Sequence, residues 1–354
     1  MMPTLFDPLK LGALTLKNRI VMAPLTRSRA VDNRVPNALM AKYYGQRAQA
    51  GMILSEATSV TPMGVGYADT PGIWSNEQVE GWKQTIKAVH DKGGVIFLQL
   101  WHVGRISDPE FLDGETPVAP SAIQPEGTVS LVRPKRPYVT PRALETDEIP
   151  AIVEAYRLGA ENAKRAGFDG VQIHAANGYL IDQFLQDGTN HRTDQYGGSI
   201  ENRTRLLEEI ADAVIGVWGA DRVGVHLAPR GDSHDMSDSD PKALFTHVAR
   251  QLGQRKIAFL GVREHLAEDS LLPDIKAAFG GVVIANEGLT QESAEKLVEA
   301  GRADAVAFGK DFIATPDLPH RFRERLALNE IDFATFYGGG AKGYTDYPLA
   351  EELA

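Results

Sequence analysis

Eight short apolar runs recur along the chain, each followed by a longer stretch with helical periodicity. The runs cover residues 20–23, 52–56, 95–100, 171–174, 223–227, 257–262, 282–285 and 305–309. The stretches between and after them cover 37–49, 76–91, 146–166, 200–217, 241–251, 270–279, 290–300 and 316–328. Runs apolar at every position suit strands covered on both faces, which in alternation with helices means a parallel sheet. Eight such units close into a (β/α)₈ TIM barrel. Ser75, Thr146 and Thr290 each precede an acidic first turn and read as helix N-caps. Gly93, Gly167 and Gly301 read as helix ends. Two segments lie outside the repeat. Residues 4–17, with Gly12-Ala13 at the turn, read as an N-terminal hairpin flooring the barrel. Residues 102–143 form a long Pro-rich insert after strand 3, long enough for a lid over the top face. No low-complexity linker interrupts the 354 residues, so a single domain over 1–354 is expected.

Composition narrows the function. A formal net charge of -10, without a basic stripe, argues against a nucleic-acid partner; the run from Arg133 to Arg136 reads as a solvated loop. The absence of cysteine excludes disulfides, cysteine-ligated clusters and thiol nucleophiles. No secretory leader or bilayer-length apolar stretch is evident, so no membrane and a cytoplasmic location are expected.

In a barrel of this kind, chemistry collects where strands end. The most informative strand end is Gly170-Val171-Gln172-Ile173-His174-Ala175-Ala176-Asn177-Gly178-Tyr179. His174 and Asn177 can each donate a hydrogen bond to one oxygen on which negative charge builds, and Tyr179 can deliver a proton. Singly, each has a plainer reading: a packed histidine, an Asn-Gly turn, a tyrosine over the core. The other strand ends supply Pro24-Leu25-Thr26, Glu56-Ala57, Gln99-Leu100-Trp101, His226 to Pro229, Asn286-Glu287-Gly288 and Gly309-Lys310. Glycine and Lys310 at the ends of strands seven and eight suit a phosphate. Neutral amides and hydroxyls on the earlier strands suit a polar heteroaromatic ring. Together they describe a site for flavin mononucleotide, FMN.

Along essentially its whole length the chain also resembles the Old Yellow Enzyme family, in its classical bacterial branch. The resemblance rests on Met22-Ala23-Pro24-Leu25-Thr26-Arg27, Gln99-Leu100-Trp101-His102-Val103-Gly104-Arg105, and the strand-four segment extended through Gly178-Tyr179-Leu180-Ile181-Asp182-Gln183-Phe184-Leu185. It continues in Asn190-His191-Arg192 through Asn202-Arg203 and in Gly343-Tyr344-Thr345-Asp346-Tyr347-Pro348. It implies an FMN-dependent alkene reductase, fed by NADPH or NADH in ping-pong fashion and acting on α,β-unsaturated carbonyls, maleimides and nitroalkenes. His174 and Asn177 would hold the substrate oxygen and Tyr179 would protonate the α-carbon. Thr26 and Gln99 would bond to the flavin ring, with backbone from Pro24, Leu25 and Ala57. Asn286, Glu287, Gly288 and Gly309 would cradle the phosphate. Tyr67, Trp101 and Tyr337 would line the substrate side. No metal is implied, and a monomer or weak homo-oligomer is expected.

Two positions depart from the family pattern. Its fifth strand usually ends with a flavin-contacting arginine, and here that position holds His226 in Val225-His226-Leu227-Ala228-Pro229-Arg230. Either a protonated His226 or a folded-back Arg230 is expected to supply the missing charge. Lys310 stands where an arginine usually meets the phosphate, a point charge in place of a fork. Arg142 and Arg263 are available for the phosphate of NADPH or equally for solvent. Two other readings stand beside this one: a flavin-binding barrel without turnover, and a phosphate-binding isomerase with Glu56 as base.

Overall fold

The computed structural model describes residues 2–231 and 233–352. Eight parallel strands close on themselves. They are β1 (Ile20–Met22), β2 (Met52–Leu54), β3 (Ile96–Trp101), β4 (Gly170–Ala175), β5 (Val223–Leu227), β6 (Phe259–Arg263), β7 (Val282–Asn286) and β8 (Ala305–Phe308). Each pairs with the next, and β8 returns to β1 through Val306↔Ile20 and Phe308↔Met22. Helices follow in the same rhythm: α1 (Ala38–Gln46), α2 (Asn76–His90), α3 (Ile149–Ala166), α4 (Ile200–Trp218), α5 (Pro241–Gln254), α6 (Leu272–Phe279), α7 (Gln291–Glu299) and α8 (Leu318–Glu324). The expected (β/α)₈ barrel is the fold, with most element ends moved by one to three residues.

The caps account for several of those ends. Ser75 accepts from the Gln78 backbone N–H in a reciprocal box, and Thr290 does the same with Ser293. Thr146 is a correction: the box there is Glu145 with Glu148, and the Thr146 hydroxyl turns away to donate to Asp194 at 2.5 Å. Gly167 ends α3 at φ 99°, a left-handed residue closing the helix.

Alternate residues of each strand point into the barrel. At the bottom, Val21, Met52, Phe97, Phe259, Ile284 and Ala305 pack on Leu9, Leu11 and Leu16 of the floor hairpin, whose strands are Leu9–Leu11 and Leu14–Leu16. The rings of Phe97 and Phe259 lie 5.8 Å apart. They fit because β4 has glycine at its first position and β5 at its second: a Cβ on Gly170 would stand 2.4 Å from Phe97, and one on Gly224 2.2 Å from Phe259. The hairpin turn is tied to the barrel by Ala13, whose N–H donates to the Asp221 carbonyl at 3.1 Å. The insert folds back as a loose structure, with an antiparallel bridge between Thr128 and Pro137 near its tip. Its Val129, Val132 and Tyr138 pack with Ala57, Tyr67, Trp101, Val103 and Ile106, and Tyr179 lies against the same cluster. The insert thus covers one side of the barrel mouth with apolar surface.

Candidate active site

Above the apolar floor the interior turns polar. Gln99 on β3 donates through Nε2 to Gln172 Oε1 on β4 at 2.9 Å and approaches His226 Nδ1 on β5 at 3.4 Å. Next in the ring is Gly261 on β6, where a Cβ would stand 3.1 Å from Gln172 Nε2. The missing side chain leaves room beside that amide. Gln172 Nε2 is itself buried and has no partner among the described residues. A buried donor without a partner is costly to a protein that does not use it.

One layer higher, His174 is buried and forms no hydrogen bond among the described residues, its Nδ1 included. Burial first, then His226 and Arg263, hold its imidazole well below the ordinary histidine range. It is therefore neutral and carries one N–H. Asn177 follows at φ 61°, a left-handed conformation that asparagine tolerates better than most residues. Its backbone carbonyl accepts from His234 Nδ1 at 2.7 Å, and its side-chain Oδ1 accepts from Arg263 Nη1 at 2.7 Å. The Nδ2 amide is left facing away from that cation.

Tyr179 completes the group. Its hydroxyl lies 2.8 Å from that of Tyr67, and its ring stands edge-on to Trp101 at 5.0 Å and to His174 at 5.1 Å. Burial pushes both phenols above their ordinary range, so both carry their protons. The loop holding Tyr179 is fixed from behind by Asp182, whose carboxylate accepts from the Gly178 N–H at 2.9 Å. Gly178 has φ 77° and would place a Cβ 2.7 Å from the Ser233 carbonyl, so no larger residue fits.

On the opposite rim, Thr26 is half-buried with no hydrogen bond among the described residues, so its hydroxyl is not spent on its own backbone. Pro24 and Leu25 are half-buried beside it and Ala57 is buried. Gly309 lies against Leu25, where a Cβ would approach to 3.3 Å. Lys310 is exposed, with Nζ 5.6 Å from the centre of the Phe333 ring. Asn286 donates to the Ala307 carbonyl at 2.8 Å. Glu287 and Gly288 follow with φ 102° and 64°, successive left-handed residues of the kind that point backbone N–H groups at an anion. The Glu287 carboxylate itself pairs with Arg263.

Tyr337 stands at the edge of the mouth and is largely exposed, packed on Phe336. Two buried arginines directly after Thr26 hold its loop. Arg27 donates to the carbonyls of Phe336 and Gly343, each at 2.9 Å, and Arg29 to the carbonyl of Thr335 at 2.8 Å.

The two residues expected to replace the strand-five arginine are both occupied differently in the fold. His226 is buried and pushed down to about 3 by burial and by Arg263, so it is neutral. Arg230 is held by Glu264 at 2.8 Å, Asp269 at 2.6 Å and the His265 carbonyl. The cation beside the donors is Arg263, two residues beyond Gly261 on the same face of β6. The apolar run in the sequence ends at Val262, which leaves Arg263 open to the phosphate of NADPH or equally to solvent. Gln172 is not among the strand-end candidates, although an amide inside an apolar strand is a visible signal. Arg142 is exposed and paired with Glu148 at 2.7 Å. Glu56, the base an isomerase would need, is buried under Tyr44 and the Arg27 backbone, both 3.2 Å away.

The residues present fit a flavin. The polar half of the mouth offers Gln99, the unpaired Gln172 amide and the Thr26 hydroxyl to a heteroaromatic ring. The β7 and β8 ends offer backbone N–H groups and Lys310 to a phosphate. Among the described residues no group of three His, Cys, Asp or Glu is placed to hold a metal ion, and no helix is long and apolar enough to cross a membrane.

Comparison with known proteins agrees with this chemistry. Residues 4–329 match the model of the NADH:flavin oxidoreductase / NADH oxidase family. The chain is 44% identical to 12-oxophytodienoate reductase 1 of Oryza sativa subsp. japonica over 365 residues, covering 99% of this chain and 94% of that protein. It is 44% identical to a probable flavin mononucleotide-dependent alkene reductase of Leishmania infantum, covering 98% and 97%. Among solved structures, the Old Yellow Enzyme homologue of Zymomonas mobilis superposes with a TM-score of 0.96 at 48% identity, covering 98% of this chain and all of that one. Morphinone reductase in complex with tetrahydroNAD gives 0.95 at 51%, covering 98% of each chain. The chain belongs to this family of flavin oxidoreductases, the Old Yellow Enzymes.

Proposed function

We propose that the protein reduces the C=C bond of electron-poor alkenes, namely α,β-unsaturated carbonyls, maleimides and nitroalkenes. The observation that carries this reading is the convergence of three groups at one point of the barrel mouth. A neutral imidazole at His174, a carboxamide at Asn177 with its N–H groups free, and a protonated phenol at Tyr179 stand together under an aromatic cover. Thr26, Gln99 and Gln172 would hold the flavin ring, and the Glu287-Gly288 and Gly309-Lys310 segments its phosphate. When bound, the flavin would supply the redox chemistry, hydride from the nicotinamide destined for the alkene carbon β to the activating group.

The side chains do the rest. His174 and Asn177 donate to the substrate's carbonyl or nitro oxygen, and both bonds strengthen as negative charge collects there. Tyr179 gives its proton to the α-carbon, so hydride and proton together make the saturated product. The Tyr67 hydroxyl, in contact with the Tyr179 oxygen, then stabilises the phenolate left behind. Trp101, Tyr67 and the insert exclude water from the donors, which raises the worth of each bond. Names among the relatives, an alkene reductase and a 12-oxophytodienoate reductase, support the same substrate class.

Colour tests the reading. The purified protein is expected to be yellow, to bleach anaerobically with NADPH or NADH, and to regain its colour when 2-cyclohexenone is added. A protein that bleaches but stays bleached with cyclohexenone, a maleimide and a nitroalkene would be a flavin protein of another function.

A further inference from the structure

We propose that Arg263 is the positioning residue that makes Asn177 an obligatory donor, and that it supplies the positive charge behind the substrate oxygen; this rests on the reading above. Arg263 closes β6 on the inward face, and its guanidinium reaches across the mouth to Asn177 Oδ1 at 2.7 Å. The other end of the fork is held by the Glu287 carboxylate. Glu287 keeps that contact at φ 102°, a conformation costly for a residue with a side chain.

A carboxamide can turn over, presenting oxygen or nitrogen to a ligand with almost no change in shape. Turned one way, Asn177 stabilises an oxyanion; turned the other, it repels one. Arginine carries donors only and no acceptor, so the group it faces must be the amide oxygen. The Asn177 N–H groups are thereby committed to the opposite side, where His174 also stands. His234 fixes the same residue from its backbone carbonyl, so rotation of the whole residue is resisted too. The bond from Arg263 is charge-assisted, and hydrogen bonds in series polarise one another. Drawing electrons from Oδ1 makes the Asn177 N–H groups stronger donors. Charge collecting on a substrate oxygen is thus felt by the guanidinium through the amide, without direct contact.

The experiment is a double-mutant cycle on the flavin-loaded enzyme, with Arg263→Gln, Asn177→Ala and the pair. One readout is the affinity of 4-nitrophenol for the oxidised protein and the fraction bound as the coloured phenolate. The other is the rate at which cyclohexenone reoxidises the reduced protein. Arg263→Gln is expected to weaken phenolate binding and slow reoxidation by about tenfold to a hundredfold, the range for a lost charge-assisted bond. Arg263→Lys is expected to recover most of the loss. In the Asn177→Ala background the effect should largely disappear, because a residue acting through Asn177 has nothing left to act on. An Arg263→Gln effect undiminished in that background would overturn the proposal while leaving the alkene reductase reading intact. Failure of the parent enzyme to bind the phenol or to reoxidise would instead overturn the reading itself. Flavin content and melting temperature of each variant separate these outcomes from misfolding.

Discussion

At the scale of single residues, the proposed mechanism divides the work between groups that hold charge and one that moves a proton. His174→Ala removes a donor in a water-poor site. It should cost about 2.7–4 kcal/mol in the barrier to alkene reduction, roughly a hundredfold or more in rate. Tyr179→Phe keeps the ring packing against Trp101 and His174 but removes the proton, and should slow the same step by about a hundredfold or more. Stopped-flow measurement of reoxidation by cyclohexenone, apart from reduction by the nicotinamide, checks both. Loss of rate confined to reduction would contradict the roles assigned. Because burial holds His174 and His226 in their neutral forms, reoxidation should show no inflection through the ordinary histidine range. Legibility also differed residue by residue. His174, Asn177 and Tyr179 stand out in the sequence because three polar groups within six positions at a strand end exceed what packing and a turn ask for. Arg263 does not, because an arginine at a strand end looks the same whether it faces solvent or crosses the barrel.

At the scale of elements, the short helix Leu180–Leu185 after β4 sets the height of Tyr179 above the barrel. Its Asp182 is buried between the Gly178 N–H and Gln186, and burial pushes the carboxyl up to about 7. The folded value lies above the unfolded one, so the folded chain binds the proton more tightly. The resulting stability is fully present below about pH 4 and fades as pH rises to about 7. Asp182→Asn should therefore lose less stability than the parent between about pH 4 and 7. Denaturant midpoints measured across that interval check it, and identical slopes would show that Asp182 is ionised throughout. The caps at Ser75 and Thr290 were legible because a hydroxyl before an acidic turn has one common use. Thr146 misled for a tertiary reason: Asp194, 48 residues away, claims its hydroxyl, and Glu145 takes over the cap.

At the scale of the whole molecule, the barrel could be read from eight apolar runs because strands covered on both faces leave no polar alternation to confuse with anything else. What the runs could not reveal was the interior packing, where Gln99 bonds to Gln172 between apolar layers and where glycines at 170 and 224 admit two phenyl rings. The floor hairpin is a separate contributor to stability. Gly12 turns it at φ 53°, where a Cβ would lie 2.0 Å from the Asp221 carbonyl oxygen. Gly12→Ala should lower the unfolding free energy by about 2 kcal/mol or more, through strain and a displaced plug. Chemical denaturation checks this, and an unchanged affinity for 4-nitrophenol would show that the damage stays at the far end from the site.

The tethering of the Tyr337 segment by Arg27 and Arg29 bears on which molecules can enter. Both arginines sit on the strand-one loop that also carries Thr26, so the outer wall and the inner shelf are one piece. That side of the doorway cannot swing aside without disturbing the shelf. Bulky guests must be admitted by yielding on the opposite side, where Val129, Val132 and Tyr138 of the insert pack on Tyr67 and Trp101. Breadth of diet in this enzyme is therefore a property to be adjusted at Val129, Val132 and Tyr138, far along the chain from the groups that perform the reaction.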